Sequence, residues 1–373
     1  MRSSVAALGL LTSLGGCGFS SPPAQNDATP SNDACTSFAS QVDTCKLAFG
    51  GDLTLAGSVI TYDTGTHELQ VDGTVMSVSH MTLTTKAGDV DAIFAHNVRL
   101  TMGAGLRATG TLGFAIVAGG SLTLEDGASI DVGNGGAGAR AVCSSTPAPG
   151  GNEPGGGGGG GGAGFGAGGG NGGAGNSDGA LAPGGMNSGS VGMPAGPRGG
   201  CPGAHGGAGD SAGGLGGLGG GALYIAAADR IEFLGNSGAL TAGGGGGQGG
   251  SNSGDAGGGG GGSGGMIYLE APHVLGPHGR VAANGGGGGE GSDDKQPGRD
   301  GAAGTTTASR ASGGTGGPPE GVDGGRGGSL EDSTGETPAA RLKAGGGGGG
   351  GGVGYIHITS ADVQLESISP AAQ

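Results

Sequence analysis

The chain has 373 residues, of which 106 are glycine, whereas glycine makes up roughly 7% of an average protein. Leucine, isoleucine, valine and phenylalanine together fall below the roughly 20% that a chain usually needs to bury a core along its whole length. This composition excludes an ordinary globular enzyme over most of the chain. The 30 acidic residues outnumber the 15 lysines and arginines, and the net charge of -15 repels phosphate, so we expect no nucleic-acid partner.

The first residues have the form of a bacterial export signal. Arg2 precedes an apolar stretch over residues 5–14 that is too short to span a membrane. Leu14-Gly15-Gly16-Cys17 resembles the lipobox of bacterial lipoproteins, in which the cysteine is acylated and becomes the first mature residue. The resemblance implies lipidation of Cys17 and, because Gly18 rather than aspartate follows, an outer-membrane lipoprotein of the cell envelope that faces the surface or the periplasm. An ordinary signal peptide with an unrelated cysteine is the alternative.

A polar stalk follows, and then the remaining cysteines. Residues 17–33 are rich in proline, serine, asparagine and aspartate, which is typical of a flexible tether. In an oxidising compartment the four cysteines left after lipidation are expected to form disulfides. We predict the pairs Cys35–Cys45 and Cys143–Cys201, because they close one local loop and staple the ends of a glycine-rich segment. The first pair excludes a continuous helix between its cysteines, since ten helical residues span about 15 Å.

Apolar and polar residues alternate from Leu53 onward, which predicts strands rather than helices. Landmark residues then recur at a spacing of 24 positions. The pairs that show this spacing are Ile93 and Val117, Val98 and Leu122, and Leu106 and Ile130. A fixed offset that carries corresponding residues predicts consecutive coils stacked on one another, with glycines at the corners.

The predicted fold class is therefore all-β, and the repeat resembles a right-handed parallel β-helix with long glycine-rich insertions that leave from one side. An antiparallel β-sandwich is the alternative, although it would need hairpin signals between neighbouring strands. The expected organisation is a signal peptide (1–16), a lipidated stalk (17–33), a short cysteine-containing segment (34–48), β-helix coils (49–132), an insertion (133–220), a coil (221–242), an insertion (243–264), a coil (265–284), an insertion (285–353) and a terminal coil (354–373).

The insertions hold too few apolar residues to become ordered by hydrophobic collapse. Two states remain open: disordered loops, or a bundle of polyglycine-II helices whose backbones bond to one another. The pure glycine runs 155–162 and 345–352 are long enough for a bundle. The interrupted tract from Gly166 to Gly175 resembles glycine-rich repeat proteins of the PE-PGRS type in composition. The lipobox, stalk and paired cysteines resemble those of glycine-rich outer-membrane lipoproteins.

The motifs predict no catalytic site, metal site or cofactor. The seven histidines lack the HxH, HxxxH and HExxH spacings of zinc sites, so we expect them at the surface. Asp63-Thr64-Gly65 matches the triplet of aspartic proteases, but that chemistry needs two such carboxylates, and we expect a turn. Asp91 and its neighbour Asp89 are expected to face solvent, because they alternate with apolar residues.

Tyr224, Tyr268 and Tyr355 are assigned to one place in three copies of the repeat. Alternation points them outward, where a ladder would be exposed as a platform for a sugar ring or would lie against a glycine layer. The leading functional prediction is a non-enzymatic, lipid-anchored cell-surface protein with a structural or adhesive role, whose partners are the membrane and a glycan or surface polymer. The alternatives are a carbohydrate-active β-helix enzyme, either a polysaccharide lyase or a hydrolase, and an ice- or polymer-binding surface.

Overall fold

Short strands make up nearly all the regular structure. The computed structural model describes residues 35–140, 143–177, 180–251, 254–293, 296–316, 321–339 and 344–373. The predicted signal peptide, Cys17 and the stalk lie outside these ranges. Among the described residues no helix is both long enough and apolar enough to cross a membrane. The all-β prediction is confirmed.

The elements have the following bounds. A turn of 3-10 helix covers Thr44–Lys46. The strands are β1 (Leu53–Leu55), β2 (Ile60–Asp63), β3 (Glu68–Val71), β4 (Thr74–Met76), β5 (His80–Thr85), β6 (Gly88–Ala95), β7 (Val98–Leu100), β8 (Gly105–Thr109), β9 (Gly113–Ala118), β10 (Leu122–Leu124), β11 (Ser129–Asp131), β12 (Gly175–Ser177), β13 (Ala180–Ala182), β14 (Ala222–Ala227), β15 (Arg230–Phe233), β16 (Ala239–Thr241), β17 (Met266–Glu270), β18 (His273–Ala282), β19 (Tyr355–Thr359) and β20 (Asp362–Ser369).

The strands form two large mixed sheets and one small hairpin. The six-stranded sheet has the order β19-β17-β14-β9-β6-β5. The larger sheet has the order β1-β7-β10-β15-β18-β16-β11-β8-β2-β3-β4, and β20 pairs with β18. Strand pairs β2–β3, β3–β4 and β5–β6 are antiparallel, as is the separate hairpin β12–β13.

Strands of successive repeats pair in parallel, as β6 with β9, β9 with β14, β14 with β17, and β17 with β19. This parallel pairing excludes the antiparallel β-sandwich as a description of the repeats. The spacing of 24 is confirmed by the register pairs Val98–Leu122 and Leu106–Ile130.

The predicted pairing of Ile93 with Val117 is wrong. Ile93 pairs with Ile116, and Val117 pairs with Phe94, so the offset is one residue shorter in this strand. The physical reason lies in the following turn. Three residues separate β9 from β10, whereas two separate β6 from β7, so one extra residue restores the offset of 24. Gly103 and Gly127, which are themselves 24 positions apart, both have φ of 71°, a conformation that favours glycine at this corner of the repeat.

Inward side chains of both large sheets form one core. Leu223, Ile225 and Ile267 of the six-stranded sheet pack with Leu122 and Leu240 of the larger sheet. The alternate residues of the six-stranded sheet point outward and are also buried, because residues 38–49 cover them with Ala39, Val42 and Leu47. This strip of sheet therefore has apolar side chains on both faces.

The glycine-rich insertions are ordered by backbone hydrogen bonds between chains. In residues 257–264 the bonding partner repeats every three residues, which is the period of a polyproline II-type helix. Its amides donate in turn to three neighbouring segments, at 201–207, 346–352 and 245–248, and the N···O distances are 2.8–3.0 Å. The disordered-loop alternative does not describe these residues.

The same chain also accepts hydrogen bonds from three further segments. The donors lie at residues 214–220, 160–163 and 286–289. Residues 257–264 are thus surrounded by six neighbours, and the amides of 257–264 and the carbonyls of 257–263 are bonded to them, although the tract has no internal hydrogen bonds. We call this assembly of hydrogen-bonded tracts the glycine bundle.

Glycine is required in the glycine bundle because neighbouring backbones touch. A Cβ atom added at Gly260 would overlap the carbonyl oxygen of Gly161, and one at Gly351 would overlap that of Gly262. At Gly189, by contrast, a Cβ would meet nothing within 4 Å. In the interior of the bundle, glycine therefore stands where the neighbouring backbone leaves no room for a Cβ atom.

Two disulfides join the cysteines in the predicted pairs, Cys35–Cys45 and Cys143–Cys201. The second spans 58 positions of sequence with its Cα atoms 5.9 Å apart. Cys201 lies in one of the hydrogen-bonded tracts of the glycine bundle, and Cys143 lies near the start of the same insertion. This bridge therefore connects the start of the first insertion to the bundle. The absence of a continuous helix between Cys35 and Cys45 meets the condition that the first pairing imposed.

The bundle makes a direct prediction for glycine-to-alanine substitution. Gly260→Ala places a methyl group against the Gly161 carbonyl and should lower the free energy of unfolding by about 1–3 kcal/mol, the usual cost of overpacking. The matched control Gly189→Ala should change it by less than about 0.5 kcal/mol. Urea unfolding of the two variants under oxidising conditions measures both values, and equal destabilisation would contradict the packing described above.

Candidate functional site

The predicted tyrosines lie on the outer face of the six-stranded sheet. Tyr224 and Tyr268 are register partners, and their rings meet edge to face with centroids 5.8 Å apart. Tyr268 then pairs with His357, whereas Tyr355 pairs with Met266. The ladder of three tyrosines is therefore corrected to a row of Tyr224, Tyr268 and His357.

The physical reason for the correction is the junction between glycine and strand. The Tyr355 amide donates to the carbonyl of Gly265, just as the Met266 amide donates to that of Gly221. The last glycine before each strand thus sets the register. Tyr355 directly follows its glycine, whereas Tyr268 comes three residues after Gly265.

All three tyrosines are buried, so they form no exposed platform. Their relative exposures are 0% for Tyr224, 7% for Tyr268 and 5% for Tyr355. Phe165, which belongs to the first insertion, packs edge-on against Tyr355 with centroids 5.3 Å apart. The Tyr355 hydroxyl donates to the carbonyl of Val191 at 2.5 Å. The insertion therefore covers Tyr355.

Glu270 links Tyr224 to the N-terminal segment that contains Ser40. Its carboxylate accepts hydrogen bonds from the Tyr224 hydroxyl at 2.5 Å, from the Ser40 amide at 2.8 Å and from the Ser40 hydroxyl. Burial raises the pKa of Tyr224 above its usual value, and the charge of Glu270 raises it further, so this phenol remains a donor. Both carboxylate oxygens are bonded, which makes the cluster a clamp between Ser40 and the sheet.

Removing one acceptor of this clamp should cost stability. Glu270→Gln replaces one carboxylate oxygen by an NH2 group that faces donors, and we expect unfolding to become easier by about 1–3 kcal/mol. Glu331→Gln, at an exposed position, is the control with the same change of charge and should stay within about 0.5 kcal/mol. Thermal and urea unfolding distinguish the two, and an unchanged Glu270 variant would show that the clamp contributes nothing.

A second buried carboxylate, Asp91, lies on the inner face of the same sheet. Asp91 pairs with Phe114 of β9, lies two residues before the inward Ile93 and hence on the same face of β6, and has no exposed surface. The expectation that Asp91 faces solvent is therefore wrong. Alternation does not separate water from core here, because both faces of β6 are covered.

Three side chains gather around Asp91. The Tyr62 hydroxyl donates to Oδ2 at 2.5 Å, and the Nδ1 atom of His67 lies 2.9 Å from the same oxygen. The His80 ring stacks on that of His67, with centroids 4.8 Å apart and an interplanar angle of 13°. The other carboxylate oxygen of Asp91, Oδ1, is buried and has no hydrogen-bond partner among the described residues.

The β2–β3 turn places His67. Oδ1 of Asp63 accepts hydrogen bonds from the amides of Gly65 and Thr66, and the His67 amide donates to the Asp63 carbonyl at 2.8 Å. Asp63-Thr64-Gly65 is thus the predicted turn. His67 itself has φ of 60°, in the left-handed region where histidine is tolerated better than most residues.

Tyr62 and the surroundings define the chemistry of the cluster. Burial raises the pKa of Tyr62 above its usual value, and the hydrogen bond to Asp91 and its charge raise it further. The phenol is therefore a fixed donor. His67 and His80 line an open cavity of about 520 Å³, together with Glu68 and Met76. Imidazole nitrogens at the cavity and the neighbouring buried carboxylate are groups that can bind a cation.

Sequence spacing missed this cluster because its members come from different elements. Tyr62 lies in β2, His67 lies in the turn that follows, His80 begins β5 and Asp91 lies in β6. Their separations match no short metal motif. One signal was present: Asp91 interrupts the apolar run 90–95, where a buried strand would otherwise have only apolar side chains.

The chain was compared with known proteins at three levels. No family model matches it. Comparison with curated proteins finds no match, and comparison with solved structures finds none either.

Proposed function

We propose that this protein is a non-enzymatic component of the bacterial cell envelope, anchored to the outer membrane through lipid on Cys17, and that the glycine bundle is its structural or adhesive surface. The observation that carries the proposal is the ring of six neighbours around residues 257–264. A segment bonded on all sides cannot rearrange without breaking many backbone hydrogen bonds at once. Such a bundle suits a stiff surface better than a mobile catalytic lid.

The outer chains of the bundle support an adhesive role. Residues 200–206 and 214–220 run antiparallel, and every third residue of the second chain points outward. Leu215 and Leu218 are 52% and 55% exposed. A chain of this type advances about 3.1 Å per residue, so outward side chains recur about every 9.3 Å. Regular apolar contacts on a stiff backbone suit a repetitive partner, such as a surface glycan or another polymer.

We also infer that the repeats are coils of a parallel β-helix. In each repeat a strand of the six-stranded sheet precedes strands of the larger sheet, and equivalent strands pair in parallel. The chains of the bundle enter the sheet directly, because Gly221, Gly265 and Gly354 immediately precede β14, β17 and β19. In this architecture the bundle is a lateral extension of the coils.

Two independent features support the proposed location in the cell envelope. The disulfides Cys35–Cys45 and Cys143–Cys201 are typical of oxidising compartments outside the cytoplasm. The sequence Leu14-Gly15-Gly16-Cys17, followed by the polar stalk, supports lipid attachment and outer-membrane location, as in the glycine-rich lipoproteins that the chain resembles.

A polysaccharide lyase or hydrolase remains the less favoured alternative. Hydrolases of glycosidic bonds need two carboxylates flanking one cleft, about 5–10 Å apart. Asp91 and Glu270 are buried on opposite faces of the six-stranded sheet, so these two carboxylates do not share a cleft. The arrangement favours the non-enzymatic proposal.

The adhesive surface can be tested by removing its apolar side chains. Cells that display the double variant Leu215→Ser and Leu218→Ser should attach several-fold less to cellulose- or chitin-coated particles than cells with the native chain. Leu330→Ser removes a leucine that is 48% exposed and lies outside these chains, so it serves as the control. Equal attachment of all three strains at equal surface display would argue against adhesion through this face.

The anchor has its own test. Cys17→Ser removes the acylation site, so the protein should move from the membrane fraction to the soluble fraction or retain its signal peptide. Metabolic labelling with a fatty-acid analogue should mark the native mature chain and not the variant. A native chain without label would refute the lipoprotein assignment.

A further inference from the structure

We propose that His67, His80 and Asp91 bind one divalent first-row transition-metal ion, of the class of Zn²⁺ or Co²⁺. One donor atom from each residue lies within 4.8 Å of the other two. Three ligands held about 2.1 Å from one ion lie about 3–4 Å apart, so side-chain movements of less than about 1 Å complete the site. Two imidazoles and a carboxylate are ligands that these metals accept.

The buried Asp91 carboxylate provides an independent observation. Asp91 has no exposed surface, and its Oδ1 atom has no partner among the described residues. A buried carboxylate oxygen without a partner is costly, and a coordinated cation removes that cost. Asp91 also occupies a position whose register partner is the apolar Phe114, so packing alone gives no reason for aspartate here.

Tyr62 is the positioning residue of this site. Its hydroxyl donates to Oδ2 of Asp91 at 2.5 Å, and its ring packs on Phe114 with centroids 5.1 Å apart. Metal-binding carboxylates are commonly oriented by such second partners. The phenol fixes the carboxylate without itself acting as a ligand.

The rim of the site is open. His80 is exposed, and His67 is partly exposed at the edge of the cavity of about 520 Å³. An ion can therefore enter without unfolding of the strands, and coordination positions beyond the three protein ligands face solvent. Water or a small anionic or hydroxyl-bearing ligand can occupy them.

A simple ion pair is the competing explanation. Nδ1 of His67 lies 2.9 Å from Asp91, so a protonated imidazole can neutralise the carboxylate without a metal. That pair does not use His80, which contacts His67 through its ring. Dependence on His80 therefore separates metal binding from the ion pair.

The test is a titration of the untagged, disulfide-bonded protein with Co²⁺ and Zn²⁺. The native chain should bind one ion, with Co²⁺ giving visible d–d absorption and Zn²⁺ raising the unfolding midpoint. His80→Ala should lower the affinity by about 100-fold or more, and Tyr62→Phe by about 10–100-fold. His278→Ala, which removes an exposed histidine elsewhere, should leave affinity and stoichiometry unchanged.

Metal-free unfolding of His80→Ala serves as the folding control and should match that of the native chain, because His80 is exposed. The proposal is overturned if the native chain binds no ion, or if His80→Ala binds Co²⁺ as tightly as the native chain. It is also overturned if His278→Ala loses binding to the same extent as His80→Ala.

Discussion

Hydrogen bonding between backbones that carry no side chains is the interaction on which the rest of the structure depends. Hydrophobic burial cannot order the insertions, which are nearly devoid of large apolar residues. Instead, amides and carbonyls of residues 257–264 bond to six surrounding segments, and each close approach is possible because a Cβ is missing. The entropy lost in ordering glycine is large, and it is offset by many bonds formed cooperatively along each chain.

The sheets supply what the glycine bundle lacks, namely a fixed end point for each glycine tract. The strands β14, β17 and β19 lie side by side in parallel, and each begins directly after a glycine tract. Tract ends are therefore held at the spacing of neighbouring strands. In turn, Phe165 and Val191 from the insertion shield Tyr355 on the outer face of the sheet. Each part thus covers or positions the other.

Much of this arrangement could be predicted from the sequence, because it follows from periodicity. Val98, Leu122, Leu106 and Ile130 showed the offset of 24, and the spacing of the cysteines indicated which of them pair. The prediction is wrong for Tyr355. The sequences around the three tyrosines are similar, but the register is set by the last glycine before each strand, and Tyr355 lies closer to that glycine than Tyr268 does. The sequence does not decide whether the tyrosines are buried, since coverage by residues 38–49, Phe165 and Val191 depends on tertiary packing.

The His67, His80 and Asp91 cluster could not be predicted for a different reason. Its residues meet only through the pairing of β5 with β6 and the turn after β2, and both are antiparallel additions at the sheet ends that the repeat does not specify. Alternation with apolar residues predicts that Asp91 faces solvent, because alternation usually marks a strand with water on one face and core on the other. In a strand covered on both faces that contrast disappears, and an aspartate there marks an exception in the packing rather than the surface.

One outer tract of the glycine bundle contains a proline, Pro202. A lattice of chains that bond sideways can in principle recruit further chains, including those of another molecule, as exposed sheet edges do. In the outer chain that contains Cys201, the amides of Gly203 and Gly206 bond to one neighbour and those of Ala204 and Gly207 bond inward. Pro202 lies in the same tract, and proline has no amide hydrogen to donate. At Pro202 this tract therefore cannot donate a backbone hydrogen bond to another molecule, so the position disfavours sideways growth of the bundle.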